Sequence, residues 1–200
     1  MTGLLIAFEG LDQSGKQTQA ELLRDRLTDA GRTVRLLSFP DYQTSIGSEI
    51  GRALRGERDY TSDVMQLLYV ANRYEWKGEI LRAKQAGTVL VCDRYLASSI
   101  AYGEAQGLDR EWLVEIQKYL PQPDLTILLD IPPEVSARRK TADRDKYERD
   151  LALLGRVRES YVKQAVATKP ASTGGWLRLD GTRARDVVAA DVQAAVLAMM

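Results

Sequence analysis

An α/β fold, one parallel sheet with helices on both faces, is predicted by three features of this 200-residue chain. Apolar runs of strand length alternate with longer amphipathic stretches from end to end. The first four runs are nearly continuous in apolar residues, as strands covered on both faces require. A glycine-rich turn, G-L-D-Q-S-G-K at 10–16, joins the first run, Leu4-Leu5-Ile6-Ala7-Phe8, to the first amphipathic stretch.

Strands are expected at 4–9, 33–38, 88–92, 125–131 and 176–180. Helices are expected at 16–30, 46–55, 62–86, 96–106, 109–119, 133–140, 147–168 and 184–198. Gly31 and Gly87 stand where C-terminal caps belong, and Ser62 is the expected N-cap ahead of Asp63. Pro132-Pro133 opens the sixth helix, where a missing amide proton costs little. Right-handed crossovers then build three layers around five strands, with ligands at the carboxyl ends of the strands. At 44% apolar residues, without repeat or linker, the chain suits a single domain over 1–200.

Composition narrows the chemistry. Lys plus Arg equals Asp plus Glu at 28 each, so no charge excess favours nucleic acid. No segment approaches 18 uninterrupted apolar residues, and the start M-T-G-L-L-I-A-F-E has no basic stretch, so neither a membrane span nor a secretory signal is expected. Cys92 lies in an apolar run and reads as a small core residue, which suits a reducing cytoplasm. The chain has no histidine, which removes Ser-His-Asp and Cys-His chemistry and, with one cysteine, any ordinary zinc site. What remains is work for Lys, Arg, carboxylates and Mg²⁺, and phosphoryl transfer is of that kind.

The turn at 10–16 fits a phosphate-binding P-loop, because strand, glycine loop and helix follow in order. Gly10 and Gly15 let successive amides, with those of Gln13 and Ser14, point at one anion, and the helix N-terminus adds partial positive charge. Lys16 then reaches the β- and γ-phosphates. The fold expected is therefore the P-loop NTPase type, binding a nucleoside triphosphate. Position 17 is Gln where a Ser or Thr hydroxyl would hold Mg²⁺. Thr18 is about 100° further around the helix and is no simple substitute. Either carboxylates elsewhere hold the metal, or the site has decayed.

The other strand ends carry Phe39-Pro40-Asp41-Tyr42, Asp93-Arg94-Tyr95 and Asp130. From Arg138 to Arg149, six of twelve residues are Arg or Lys. Such a run is either a solvated helix face or a basic lid that closes over phosphates and excludes water. Beside a P-loop the lid, at about 138–150, is preferred.

These pieces together resemble the thymidylate kinase family: F-E-G-L-D-x-x-G-K at 8–16, F-P at 39–40, L-L-Y-V-A-N-R at 67–73, D-R-Y-x-x-S at 93–98, A-Y at 101–102 and P-D-L-T at 123–126. The resemblance implies transfer of phosphate from ATP to dTMP, giving ADP and dTDP, by a homodimer with a basic lid. It implies catalytic roles for Lys16, Arg94, Asp93 and a lid arginine, for which Arg144 is the best candidate because the P-loop slot is the uncharged Gln13. ATP would be held by Gly10, Gln13, Ser14, Gly15, Lys16, Gln17, Thr18 and Arg138. dTMP would be held by Asp12, Phe39, Pro40, Tyr42, Tyr69, Arg73, Arg94, Ser99 and Tyr102, with Tyr69 stacking on thymine and Arg73 bonding a base carbonyl. Tyr42 occupies a position that is often Arg in the family. Asp12, Asp93 and Glu148 would surround Mg²⁺. Against these roles stand a structural ion pair of Asp93 with Arg94 or Lys16, a surface cation–π pair of Tyr69 with Arg73, and a core Tyr102.

Two other functions fit in part. A deoxynucleoside kinase acting on thymidine shares the P-loop and basic lid, but its hydroxyl acceptor wants a carboxylate base after the second strand, where only Asp41 is available. A P-loop protein with weakened catalysis is the reading that Gln17 suggests. A GTPase switch lacks its N-K-x-D motif here.

Overall fold

The computed structural model describes residues 3–139, 150–167 and 175–200. Its strands are β1 (Leu5–Glu9), β2 (Val34–Ser38), β3 (Val89–Asp93), β4 (Leu125–Asp130) and β5 (Gly175–Asp180), each overlapping the span read from sequence. All pair in parallel, in the order β2-β3-β1-β4-β5. Parallel pairing demands a crossover after each strand. The helices are α1 (Lys16–Asp29), α2 (Ser45–Leu54), α3 (Ser62–Gln85), α4 (Leu96–Ala105), α5 (Arg110–Glu115), α6 (Pro133–Arg139), α7 (Leu151–Ala167) and α8 (Arg185–Leu197).

The alternation of a strand splits its side chains between two buried faces. Ile6, Phe8, Val91 and Ile127 face Leu23 and Leu27 of α1 and Val188 and Val192 of α8. Leu5, Ala7, Leu90 and Cys92 face Val70 and Ile80 of α3. Leu128 packs with Leu154 and Val157 of α7 and with Ala97 and Ala101 of α4. Cys92 is thus the core residue expected, and burial pushes its thiol far above the usual range.

Helix ends follow backbone chemistry. Gly31, at φ 75°, lets the Arg32 amide donate to Leu27 O at 2.9 Å and its own amide to Thr28 O at 2.9 Å, closing α1. Two expectations are corrected. The N-cap of α3 is Thr61, which is extended and accepts the Met65 amide at 3.0 Å, while Ser62 is already helical. The helix expected over 109–119 ends at Glu115, and three-residue turns follow, the last from the Leu120 amide to Gln117 O at 3.0 Å. Pro121 and Pro123 bar its continuation. Among the described residues no helix is long and apolar enough to cross a membrane.

Strand order then positions the site. β1 lies between β3 and β4, and Phe8 stands opposite Asp93. Past the strand ends, the Arg94 amide donates to Phe8 O at 2.9 Å and the Phe39 amide to Asp93 O at 3.0 Å. The loops after β1, β2 and β3 are therefore stitched side by side at the carboxyl edge of the sheet.

Candidate active site

The loop after β1 has the shape its glycines permit. Gly10 has φ 138°, and a Cβ there would stand 2.5 Å from the Leu129 carbonyl oxygen. Gln13 at φ 62° and Gly15 at φ 95° turn the chain so that α1 begins at Lys16. Lys16 is buried, and its Nζ donates to Leu11 O at 2.8 Å. Burial and the nearby Arg94 pull Lys16 down to about 8, against the opposing pull of Asp12 and Asp93.

Gln13, Gly15, Lys16, Gln17 and Thr18 line one cleft with Asp12, Asp93 and Arg94. Ser14, Gly15 and Thr18 continue into an adjoining cleft walled by Arg139, Arg183 and Arg185. Arg138 lines neither. It is exposed on α6, about 100° around the helix from Arg139. Arg139 donates to Gln13 O at 2.9 Å and to Gly181 O at 3.0 Å, so of these two neighbours on α6 it is the one that meets the loop. Arg144, Glu148 and Arg149 lie outside the described residues, as does most of the expected lid.

Among the described residues, the non-glycine positions with left-handed backbone are Gln13 and Arg94, both at φ 62°. Such a conformation costs on the order of 1–3 kcal/mol and persists where the surroundings fix it. Arg94 is so fixed. Its Nη1 donates to Gly10 O, Ser98 Oγ and Tyr161 Oη at 3.2, 3.1 and 3.2 Å. Its Nη2 donates to Asp12 Oδ1 at 2.6 Å and Tyr102 Oη at 3.3 Å. Burial opposes the charge on Arg94, but Asp12 holds its pKa well above the usual arginine value. Burial likewise opposes the Asp12 carboxylate, yet Arg94 and Lys16 hold it far below the ordinary range. Tyr102 donates to Asp12 Oδ2 at 3.1 Å, and its ring lies 5.3 Å from the guanidinium carbon.

Glu9, which the sequence reading passed over, organises this group. It is fully buried and accepts from the Tyr95 amide at 2.8 Å and the Ser98 amide at 3.3 Å, capping α4. Ser98 Oγ donates to its other oxygen at 2.6 Å, and Tyr161 Oη approaches that oxygen at 3.2 Å. The same two hydroxyls accept from Arg94. A carboxylate ending an otherwise apolar strand was the available signal.

A second cleft gathers Asp12, Phe39, Pro40, Tyr42, Tyr69, Arg73, Arg94, Ser99 and Tyr102, the nine residues expected to hold the acceptor, and adds Leu54, Gln66, Ser98 and Gln106. Arg73 is only 3% exposed, which removes the surface cation–π alternative. Its Nη1 donates to Ser99 Oγ at 2.8 Å and Tyr69 O at 3.2 Å. Burial lowers its pKa, with Glu9 the foremost opposing charge. Phe39 packs on Tyr95 with ring centroids 5.7 Å apart, and the Phe39–Pro40 peptide is cis. Tyr42 is 48% exposed beside Pro40, and Tyr102 lines the cleft while also touching the core.

Asn72 pins the loop after β2, accepting the Asp41 amide at 2.8 Å and donating to Thr44 Oγ1 at 2.9 Å. Asp41 accepts from the Gln43 amide and from Trp76 Nε1, both at 3.0 Å, and lines a neighbouring groove rather than the acceptor cleft. Among the described residues, the loop after β2 therefore presents no carboxylate base to the acceptor cleft.

Asp93 forms no ion pair with Arg94 or Lys16 among the described residues, and its Oδ1 is buried without a hydrogen-bond partner. An unengaged carboxylate oxygen beside Lys16 suits a hard cation with oxygen ligands. Asp12 fits that task less well, since both its oxygens are engaged. Gln17 turns its amide to Glu21 Oε1 at 3.0 Å.

The model of a protein family described as Thymidylate kinase matches residues 8–183. The chain belongs to the thymidylate kinase family. Thymidylate kinase of Schizosaccharomyces pombe is 40% identical over 147 residues, covering 74% of this chain and 70% of that protein. Thymidylate kinase of Plasmodium falciparum is 34% identical over 182 residues, covering 90% and 83%. The solved structure of thymidylate kinase from Candida albicans superposes with a TM-score of 0.86 at 28% identity, over 98% of this chain and 92% of that one. The kinase is thus a phosphotransferase that phosphorylates dTMP to dTDP, and neither alternative function is favoured.

Proposed function

We propose that the kinase transfers the γ-phosphate of ATP to dTMP across the wall that its two clefts share. The observation that carries this reading is that Asp12 and Arg94 line both clefts. ATP lies with its phosphates over the loop amides and Lys16, and its remaining part along Arg139, Arg183 and Arg185. dTMP lies in the second cleft, its ring by Tyr69 and Arg73, its sugar by Tyr102, its phosphate by Arg94 and the Tyr42 hydroxyl.

An oxygen of the dTMP phosphate attacks the γ-phosphorus, and the bond from that phosphorus to the bridging β-oxygen breaks, leaving ADP. The acceptor oxygen is already ionised near neutral pH, so no general base is needed. The task is to hold two polyanions together and neutralise the charge that spreads over the transferring group. The planar fork of Arg94 bridges donor and acceptor, and Lys16 neutralises the donor side. Asp93 would hold Mg²⁺, which supplies further charge neutralisation on the donor phosphates when bound. A lid arginine, for which Arg144 is the candidate, completes the set, in a single-domain cytoplasmic homodimer.

Coupled-assay rates with ATP and Mg²⁺ across thymidine, dTMP, dUMP, dCMP and dGMP test this reading. Turnover is expected with dTMP and none with thymidine. Phosphorylation of thymidine in place of dTMP would refute it.

A further inference from the structure

We infer that Gln66 reads the N3–H edge of the acceptor base and is a specificity-determining residue for dTMP. The inference rests on the acceptor cleft being the dTMP site. Gln66 sits on α3 three residues before Tyr69 and seven before Arg73, which puts all three on one helix face. It lines the acceptor cleft with them. Its side chain is only 1% exposed, yet both Oε1 and Nε2 are without a hydrogen-bond partner among the described residues. The Nε of Arg73, in the same wall, is also buried and unpartnered.

Buried polar groups are nearly always paired, so an orphaned carboxamide beside an orphaned guanidinium nitrogen marks a place where a ligand completes the bonding. A carboxamide offers a donor and an acceptor side by side. Thymine offers the complement on one edge, the N3–H donor flanked by the O2 and O4 acceptors. Arg73 offers donors only, so it donates to a ring carbonyl and disfavours an exocyclic amine. The cleft's other carboxamide, Gln106, caps the end of α4 and lies off the α3 face that carries Tyr69 and Arg73. The carboxamide of Gln66 can rotate to match either a carbonyl edge or an amino edge. With Arg73 beside it, one orientation remains, Oε1 toward N3–H and Nε2 toward a carbonyl. Ser99 Oγ already accepts from Arg73 at 2.8 Å, whereas Gln66 Oε1 has no donor among the described residues, so its acceptor capacity is wholly open to the ring.

The test compares dTMP with its N3-methylated analogue, which keeps both carbonyls, sugar and phosphate but has no N3–H. Wild type is expected to prefer dTMP strongly in kcat/KM. In Gln66→Leu that preference should shrink by about tenfold or more, chiefly through loss of dTMP turnover at low concentration. The melting temperature of the free enzyme should hold or rise, because an unpaired buried amide has been removed. Gln66→Met gives the same comparison should the leucine variant fold poorly. An unchanged preference in a folded variant overturns the role of Gln66. Failure of wild type to phosphorylate dTMP at all overturns instead the reading on which it rests.

Discussion

The Nη2 of Arg94 lies 2.6 Å from Oδ1 of Asp12, and this pair forms the wall between the two clefts. Asp12 holds the fork in place before substrate arrives, while the left-handed backbone at Arg94 sets the direction of the side chain. Arg94→Lys keeps the charge and loses the planar fork. A fall in kcat on the order of 10²-fold is expected, because a point charge cannot bridge two phosphates in the same way. Near-wild-type kcat in a folded Arg94→Lys enzyme would show that charge alone suffices.

Asp93 and Asp12 should separate in their response to metal. Asp93→Asn is expected to raise the Mg²⁺ concentration for half-maximal rate by about tenfold or more, since the unengaged buried oxygen is the one suited to the ion. Asp12→Asn should lower the rate while leaving that concentration within about twofold, because its oxygens are committed to Arg94 and Tyr102. Titrating Mg²⁺ against initial rate distinguishes them, and the reverse pattern would reassign the metal to Asp12.

Lys16 predicts a pH effect. In the free protein burial holds it at about 8, below the ordinary 10.5. Between those values the unfolded chain binds more protons than the folded one, so this group makes stability rise with pH across that window. A bound triphosphate restores the charged form, so ATP binding between about pH 8 and 9 should take up protons. Calorimetry in buffers of different ionisation enthalpy measures the uptake. Lys16→Met should abolish it, and equal uptake in that variant would place the titrating group elsewhere.

Glu9 is expected to matter for stability and positioning together. Glu9→Ala leaves two amides and two hydroxyls without their acceptor in the core, a loss of roughly 2–4 kcal/mol in urea unfolding. Glu9→Gln keeps part of the bonding and should fold better. It should still lower kcat, since Ser98 and Tyr161 link Glu9 to Arg94. A Glu9→Gln enzyme with wild-type kcat would reduce Glu9 to a structural role.

Much of this was legible in the residues. The apolar runs gave all five strands because a parallel sheet buries both strand faces, and fixed glycine geometry exposed the phosphate loop. The acceptor residues were legible only through resemblance, since Phe39, the α3 pair Tyr69 and Arg73, and Tyr102 come from three separate segments that no local pattern connects. Glu9, Gln66 and Asn72 were missed because their roles come from burial. A polar residue at the end of a strand or on a helix carries no local sign that its partners arrive from elsewhere in the chain. Arg139 rather than Arg138 meets the loop, a distinction that depends on the rotation of α6 and not on charge.

The most direct measurement joins the two clefts in one molecule. Adenosine and thymidine linked 5′ to 5′ through a polyphosphate long enough to span both sites should bind at least about 10²-fold more tightly than ATP alone and compete with ATP and dTMP alike. Affinity no better than that of ATP, or competition with only one substrate, would contradict two nucleotides meeting head to head at Arg94.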